Sequence, residues 1–334
     1  MIKQTYRPLG DSGIETSRMG LGLAALGRPG YINLGHGEDL MGATGVEVMN
    51  HAAGMVMQRA YDLGVRYYDT ARSYGFGERF LANWLNTLKP GSEQLTVASK
   101  WGYTYTADWR ADAKVHEIKD HTLAQLKKQW RESQTELGDH LDLYQIHSAT
   151  PESGVLNDTA VLTELARIKA GGTAVGLSVS GPRQGEVVTR ARSINVDGVR
   201  LFDTVQATWN LLETSAGSAL AEAHSAGMGV VIKEGLANGR LTHRNREPDF
   251  ADTLGRLQRE AARLECTVDA LALAAILSQP WVDVVLSGAS RADQLESNLK
   301  ALDIDWDAQA ERALADLNEP PQTYWAIRGG LSWQ

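Results

Sequence analysis

The feature that most constrains this chain is a repeated alternation of short apolar runs with longer stretches of helical periodicity. Runs with strand character fall at 18–23, 65–69, 95–100, 141–147, 174–179, 202–207, 229–232 and 282–286. Helical spacing of apolar residues covers 52–63, 78–88, 116–137, 159–170, 184–193, 215–225, 253–264, 268–278 and 293–302. Strands separated each time by a helix-length segment are joined by crossovers, which makes neighbours parallel. Their composition agrees. Val230-Val231-Ile232 and Val284-Val285-Leu286 are apolar at every position, as strands covered on both faces are. Roughly eight strand–helix units is the number that closes a parallel barrel.

An open doubly wound sheet is the competing architecture. It would carry G-x-G-x-x-G in a tight turn between the first strand and a helix. Gly20, Gly22 and Gly27 have the wrong spacing, and a loop-like stretch follows them. The sequence therefore predicts an α/β fold, a (β/α)8 TIM barrel formed by residues 1–334 as one domain. Ahead of the barrel, the turn chemistry of Gly10-Asp11-Ser12-Gly13 predicts an N-terminal β-hairpin that plugs its bottom. Residues 24–50 read as a long Gly-rich loop, a kind that is usually functional, and 303–334 as a C-terminal helix and tail.

Composition removes several classes of function. A hydrophobic fraction of 43% with 22% charged residues is ordinary for a folded globular chain. A net charge of −8 argues against a nucleic-acid partner, which requires a basic footprint. No segment reads as a signal peptide or a membrane span, so a cytoplasmic location without membrane contact is expected. Cys266, the single cysteine, has no intramolecular partner and reads as a buried structural thiol. In His116-Glu117-Ile118-Lys119-Asp120-His121 the histidines are five apart, not the four that one helix face needs for zinc. That segment reads as a solvated helix start, and no metal is expected.

A barrel of this kind carries its active site at the C-terminal ends of its strands. Asp69, Lys100 and His147 close three of the strand runs, and Tyr74 lies in the loop after the first of them. Taken singly, each has a structural explanation: a helix-capping aspartate, a packed tyrosine, a solvated lysine, a satisfied histidine. Together at one mouth they make chemical sense. Reducing a carbonyl needs a proton at oxygen as hydride reaches carbon. A phenol near its usual pKa of about 10 is a weak acid, which a neighbouring ammonium is expected to strengthen. A carboxylate keeps that ammonium charged, and a neutral imidazole orients the carbonyl oxygen.

Tyr-Tyr-Asp-Thr-Ala-Arg-Ser-Tyr-Gly at 67–75, Val-Ala-Ser-Lys at 97–100 and Leu-Asp-Leu-Tyr-Gln-Ile-His at 141–147 resemble the signatures of aldo-keto reductases. Arg-Pro-Leu-Gly-Asp-Ser-Gly at 7–13 and Gly-Ala-Ser-Arg-Ala-Asp-Gln-Leu-Glu-Ser-Asn at 288–298 are similar too. The resemblance implies Tyr74 as acid/base, Lys100 and Asp69 as its tuning pair, and His147 as the orienting residue. It also implies a nicotinamide cofactor, NADPH with NADH as the alternative, held by Ser178, Gln206, Ser290, Arg291, Gln294 and Asn298. Arg291 is the candidate for a 2′-phosphate. Val179 stands where the family often has asparagine, and Lys233-Glu234 where an aromatic often stacks on the nicotinamide; Trp209 is a substitute.

The implied activity is NADPH-dependent reduction of a small-molecule aldehyde or ketone to an alcohol. NAD-dependent oxidation of a sugar, or a nicotinamide-binding regulatory role with little turnover, are the alternatives. Trp101, Tyr103, Tyr105 and Trp109, with the 24–50 loop and the tail residues Tyr324, Trp325 and Trp333, are expected to wall the substrate pocket.

Overall fold

The computed structural model of the protein describes residues 5–89 and 94–334. Eight parallel strands close into a barrel: β1 (Met19–Gly22), β2 (Tyr67–Asp69), β3 (Thr96–Trp101), β4 (Leu141–Ala149), β5 (Ala174–Val179), β6 (Thr204–Thr208), β7 (Gly229–Lys233) and β8 (Val284–Ser287). Each pairs with its neighbour in sequence, and β8 returns to β1 through Val285↔Met19, Leu286↔Gly20 and Ser287↔Leu21. All eight expected runs thus form the barrel, with ends shifted by a residue or two where the hydrogen-bond ladder starts and stops.

Helices cover the outside, and side-chain caps set where three of them begin. Thr122 accepts from Gln125 N ahead of Leu123–Leu137, Asp158 from Ala160 N and Val161 N ahead of Thr159–Ala170, and Thr267 from Ala270 N ahead of Val268–Leu277. The Thr122 cap corrects one expectation. The helix expected over 116–137 starts only at Leu123, because Glu117–Lys119 pairs antiparallel with Tyr103–Tyr105 as a two-stranded flap. The segment 24–50 is also less irregular than expected: it contains the helix His36–Leu40, and Val46–Asp62 has begun before it ends.

The barrel is plugged from below by the hairpin Tyr6–Pro8/Glu15–Ser17. Its turn seats on the barrel rim, where Asp11 N donates to Gly227 O at 2.8 Å. Gly10 has φ +53°, and a Cβ there would lie 2.3 Å from Gly229 N, so only glycine lets the turn approach this closely. Leu9 is fully buried and packs into the barrel interior with Tyr67, Ala98, Leu143, Val231, Val284 and Leu286. Above that apolar layer the interior turns polar, with Asp69, Lys100, Gln145 and Gln206 buried under the upper mouth. The apolar plug supports a polar floor. Leu9→Ala should therefore lower stability by about 2–5 kcal/mol, since the surrounding strands cannot collapse into the void; urea unfolding would measure it.

Candidate active site

The four residues singled out from the sequence meet at the upper mouth. Asp69 ends β2, Lys100 comes from β3, His147 from β4, and Tyr74 from the loop after β2. The Lys100 side chain is fully buried, and each of its ammonium donors has a partner. Nζ lies 2.5 Å from Asp69 Oδ2, 3.0 Å from Thr70 O and 3.5 Å from the Tyr74 hydroxyl. Asp69 is held from its other side, where Oδ1 accepts from Gln206 Nε2 at 3.0 Å and Gln145 Nε2 at 3.4 Å. Gln206 therefore meets the tetrad directly, through Asp69.

The His147 ring stands edge-on to Tyr74 at 5.5 Å between centroids, and its Nδ1 is 3.4 Å from Ser73 Oγ. Burial pushes its pKa well below the ordinary histidine value, and the nearby charges of Lys100, Arg28 and Lys233 push the same way. The imidazole is neutral. The phenol of Tyr74 departs from expectation. Burial, with Asp69 next, raises its pKa well above the usual value, while Arg28 works in the opposite direction. Desolvation of the phenolate thus outweighs the cations, and Tyr74 rests protonated.

Two further residues on this rim escaped the sequence reading. Arg28 is 2% exposed, its guanidinium 5.1 Å from the Tyr74 ring centroid, 5.3 Å from that of Tyr31 and 4.8 Å from that of Trp333. Its Nη1 donates to Ser73 O and to Glu117 Oε2, both at 2.9 Å. Glu117 comes from the flap strand, not from a solvated helix start. The period-2 pattern of Tyr103-Thr104-Tyr105 and Glu117-Ile118-Lys119 is too short to stand out in the sequence. His121 and His116 belong to the same flap: His121 Nε2 lies 2.9 Å from His147 O, and His116 stacks on Trp333 at 3.9 Å.

A cleft of about 1180 Å³ runs from Asp69, Tyr74 and His147 to the start of the helix Ala292–Leu299. Of the expected aromatic walls, Tyr103, Trp325 and Trp333 line it. The others are engaged elsewhere. Trp101 is fully buried against His121, Trp109 packs on Phe76 and donates to Thr44 O, and the Tyr324 hydroxyl accepts from Asn210 Nδ2. Tyr105, half-buried, also stays off the cleft. Trp209 is no substitute for a stacking aromatic: it does not line the cleft and packs edge-on against Trp281 at 5.5 Å. Lys233 itself lines the cleft. Burial lowers its pKa to about 8, and its Nζ donates to Thr208 Oγ1 at 2.8 Å. The adjoining Glu234 takes a left-handed backbone, φ 54°, which a β-carbon disfavours. It is anchored by Arg328, with Nη2 2.6 Å from Oε1. Burial opposes the Glu234 charge, but Arg328 and Lys233 outweigh it and hold the carboxyl at about 2.

The candidate cofactor residues lie along the same cleft, with one exception. Ser178 sits just behind the wall, its Oγ accepting from Ser148 N at 2.8 Å, so that Ser148 and Ser180 form the surface there. At the far end Ser290, Arg291, Gln294 and Asn298 all line the cleft. Arg291 Nε and Nη2 are bound to the two carboxylate oxygens of Asp293 at 2.9 and 3.1 Å. Asn298, its amide oriented to suit its neighbours, accepts from Ser287 Oγ at 2.8 Å and donates to Asp269 Oδ2 at 3.0 Å. Cys266, expected to be buried, is half-buried on this far wall, and burial raises its thiol pKa. An elongated cleft with hydrogen-bonding groups at both ends and a helix start at one of them fits a dinucleotide, whose phosphates suit helix N-terminal N–H groups.

A closed parallel barrel presenting a buried Lys–Asp pair, a phenol and a neutral imidazole to one cleft has the build of a barrel enzyme. The chain belongs to the aldo/keto reductase family, whose sequence model matches residues 19–319. It is an NAD(P)H-dependent oxidoreductase. Among its relatives, the NADH-specific methylglyoxal reductase of Escherichia coli (strain K12) is 27% identical, covering 93% of this chain and 98% of that protein. D-threo-aldose 1-dehydrogenase of a Pseudomonas species is also 27% identical, over 86% and 95%. Among solved structures, the holo form of aldo-keto reductase AKR11C1 from Bacillus halodurans superposes with a TM-score of 0.72, covering 95% of this chain and 97% of that one. At 22% identity that likeness concerns the fold.

Because the His147 ring is held neutral, its NMR resonances should show no protonation step between about pH 5 and 8, the range in which an unperturbed histidine titrates. A step near pH 6.5 would contradict the electrostatics of the site.

Proposed function

We propose that the protein reduces the carbonyl group of a small aldehyde or ketone to an alcohol, with Tyr74 as the proton donor. The observation that carries this reading is the fully buried Lys100 ammonium held between Asp69 and the Tyr74 hydroxyl. When bound, a nicotinamide dinucleotide supplies the hydride. The phenol starts protonated, because burial and Asp69 hold its pKa high. Its O–H bond breaks as the substrate oxygen takes the proton, and the phenolate left behind faces the Lys100 ammonium. Arg28, over the same ring, adds a second cation that favours that phenolate. His147, neutral and edge-on to Tyr74, is suited to hydrogen-bond and orient the carbonyl oxygen.

The walls support a short, oxygen-rich substrate. Arg28, Glu117 and Lys233 offer polar partners among Tyr31, Tyr103 and Trp333. The two relatives above are named for methylglyoxal and for aldoses, both compact polar carbonyl compounds.

Tyr74→Phe keeps the ring and deletes the proton. It should lower kcat for carbonyl reduction by about 10²–10⁴-fold while leaving the dissociation constant of the reduced dinucleotide within about twofold of the parent. Stopped-flow turnover and fluorescence titration would read the two quantities separately. Retained turnover would remove Tyr74 from the role.

A further inference from the structure

The loop after β1 does more than border the cleft. Its short helix, His36–Leu40, brings Asp39 to the start of the helix Ala292–Leu299, and the Asp39 side chain is 7% exposed there. Asp39 Oδ2 accepts from Ser290 Oγ at 3.0 Å, Gln294 Nε2 at 2.8 Å and Arg244 Nη1 at 2.9 Å, and Oδ1 accepts from Arg244 Nη2 at 2.5 Å. Burial opposes its charge, yet the hydrogen bonds from Arg244, Gln294 and Ser290 prevail and hold the carboxyl below the usual aspartate range. Asp39 is a carboxylate.

The arginines at this end are already matched. Arg244 is paired with Asp39 and Arg291 with Asp293. Asp269 lines the same wall and is held by Asn298. At the far end of the cleft, three aspartates thus face two arginines. A dianionic group arriving here would meet a net negative wall and would find the Ser290 and Gln294 donors already taken by a carboxylate. Neutral hydroxyls would meet an acceptor. Dinucleotide folds of unrelated architecture use the same logic, an acid for a ribose 2′-hydroxyl and an arginine for a 2′-phosphate.

We propose that Asp39 makes this enzyme select NADH over NADPH, by placing a fixed carboxylate on the donors that a 2′-phosphate would need. This rests on the reading that the adenosine end of the dinucleotide lies at the start of the helix Ala292–Leu299. It reverses the expectation that Arg291 recruits a phosphate.

The test is direct binding of NADH and NADPH to the purified full-length protein, read by quenching of tryptophan fluorescence. The parent should bind NADH at least about tenfold more tightly than NADPH, the scale on which one misplaced like charge acts. Asp39→Asn, which keeps size and removes charge, should shrink that ratio by about tenfold, chiefly through tighter NADPH binding. Arg244→Gln loosens the same loop but leaves the carboxylate, and should preserve or widen the preference for NADH. Tighter NADPH binding by the parent, or an unchanged ratio in Asp39→Asn, overturns the proposal and leaves the carbonyl reductase reading intact. Equal weakening of both dinucleotides in both variants would reduce Asp39 to a structural latch and also overturn it. Failure of the parent to bind either dinucleotide would overturn the underlying placement of the cofactor, and the proposal with it.

Discussion

The burial of the Lys100 ammonium is the constraint around which the upper half of this barrel is arranged. Removing a charge of that size from water costs several kcal/mol even after relaxation, so the fold must return that energy at close range. It does so with Asp69 at 2.5 Å and Thr70 O at 3.0 Å, while Gln206 and Gln145 occupy the other oxygen of Asp69. Four barrel strands are thereby committed to one ion pair. The Tyr74 hydroxyl, at 3.5 Å from Lys100 Nζ, lines the open cleft together with Asp69. The same ion pair sets a cation beside a phenol that burial otherwise keeps protonated.

Charge around the cleft follows a second rule, in which most cations are pinned by an acid from a different segment. Arg28 from the first loop meets Glu117 from the flap, Arg244 from the loop after β7 meets Asp39 from the loop after β1, and Arg328 near the C-terminus meets Glu234 at the end of β7. Such partly buried pairs act as registration points, because breaking one leaves an uncompensated charge in a poorly hydrated place. The tail is further tied by backbone pairing of Tyr31 with Gln334. Loops far apart in sequence therefore hold one another over the cleft. Lys233 has no carboxylate within ion-pair distance among the described residues, although Glu234 raises its pKa. This leaves a cation available on the cleft wall.

Much of this was legible before the structure. Strands covered on both faces are mostly apolar, so the eight could be read from short apolar runs such as Val230-Val231-Ile232 alternating with helical stretches. Asp69, Lys100 and His147 stood out because all three end strands at the same mouth, where separate structural explanations would have to coincide. Periodicity failed where elements were short. The flap at Tyr103–Tyr105 and Glu117–Lys119 is too brief for a period to register, so Glu117 and its partner Arg28 were missed. Composition failed for the aromatic walls, because an aromatic after a strand can point into the cleft, as Tyr103 does, or away from it, as Trp109 does.

By itself the sequence determined the barrel and the identity of the four central side chains, since strand period and strand-end chemistry are local properties. It did not determine the protonation state of Tyr74. Lysine proximity argued for a lowered pKa, but the outcome depends on how thoroughly the phenol is desolvated, a quantity that exists only once distant segments close around it. Nor did it determine which residues meet the far end of the cleft. Asp39 lies 251 positions from Ser290, and only the folding of the first loop across the barrel mouth places that carboxylate on those donors.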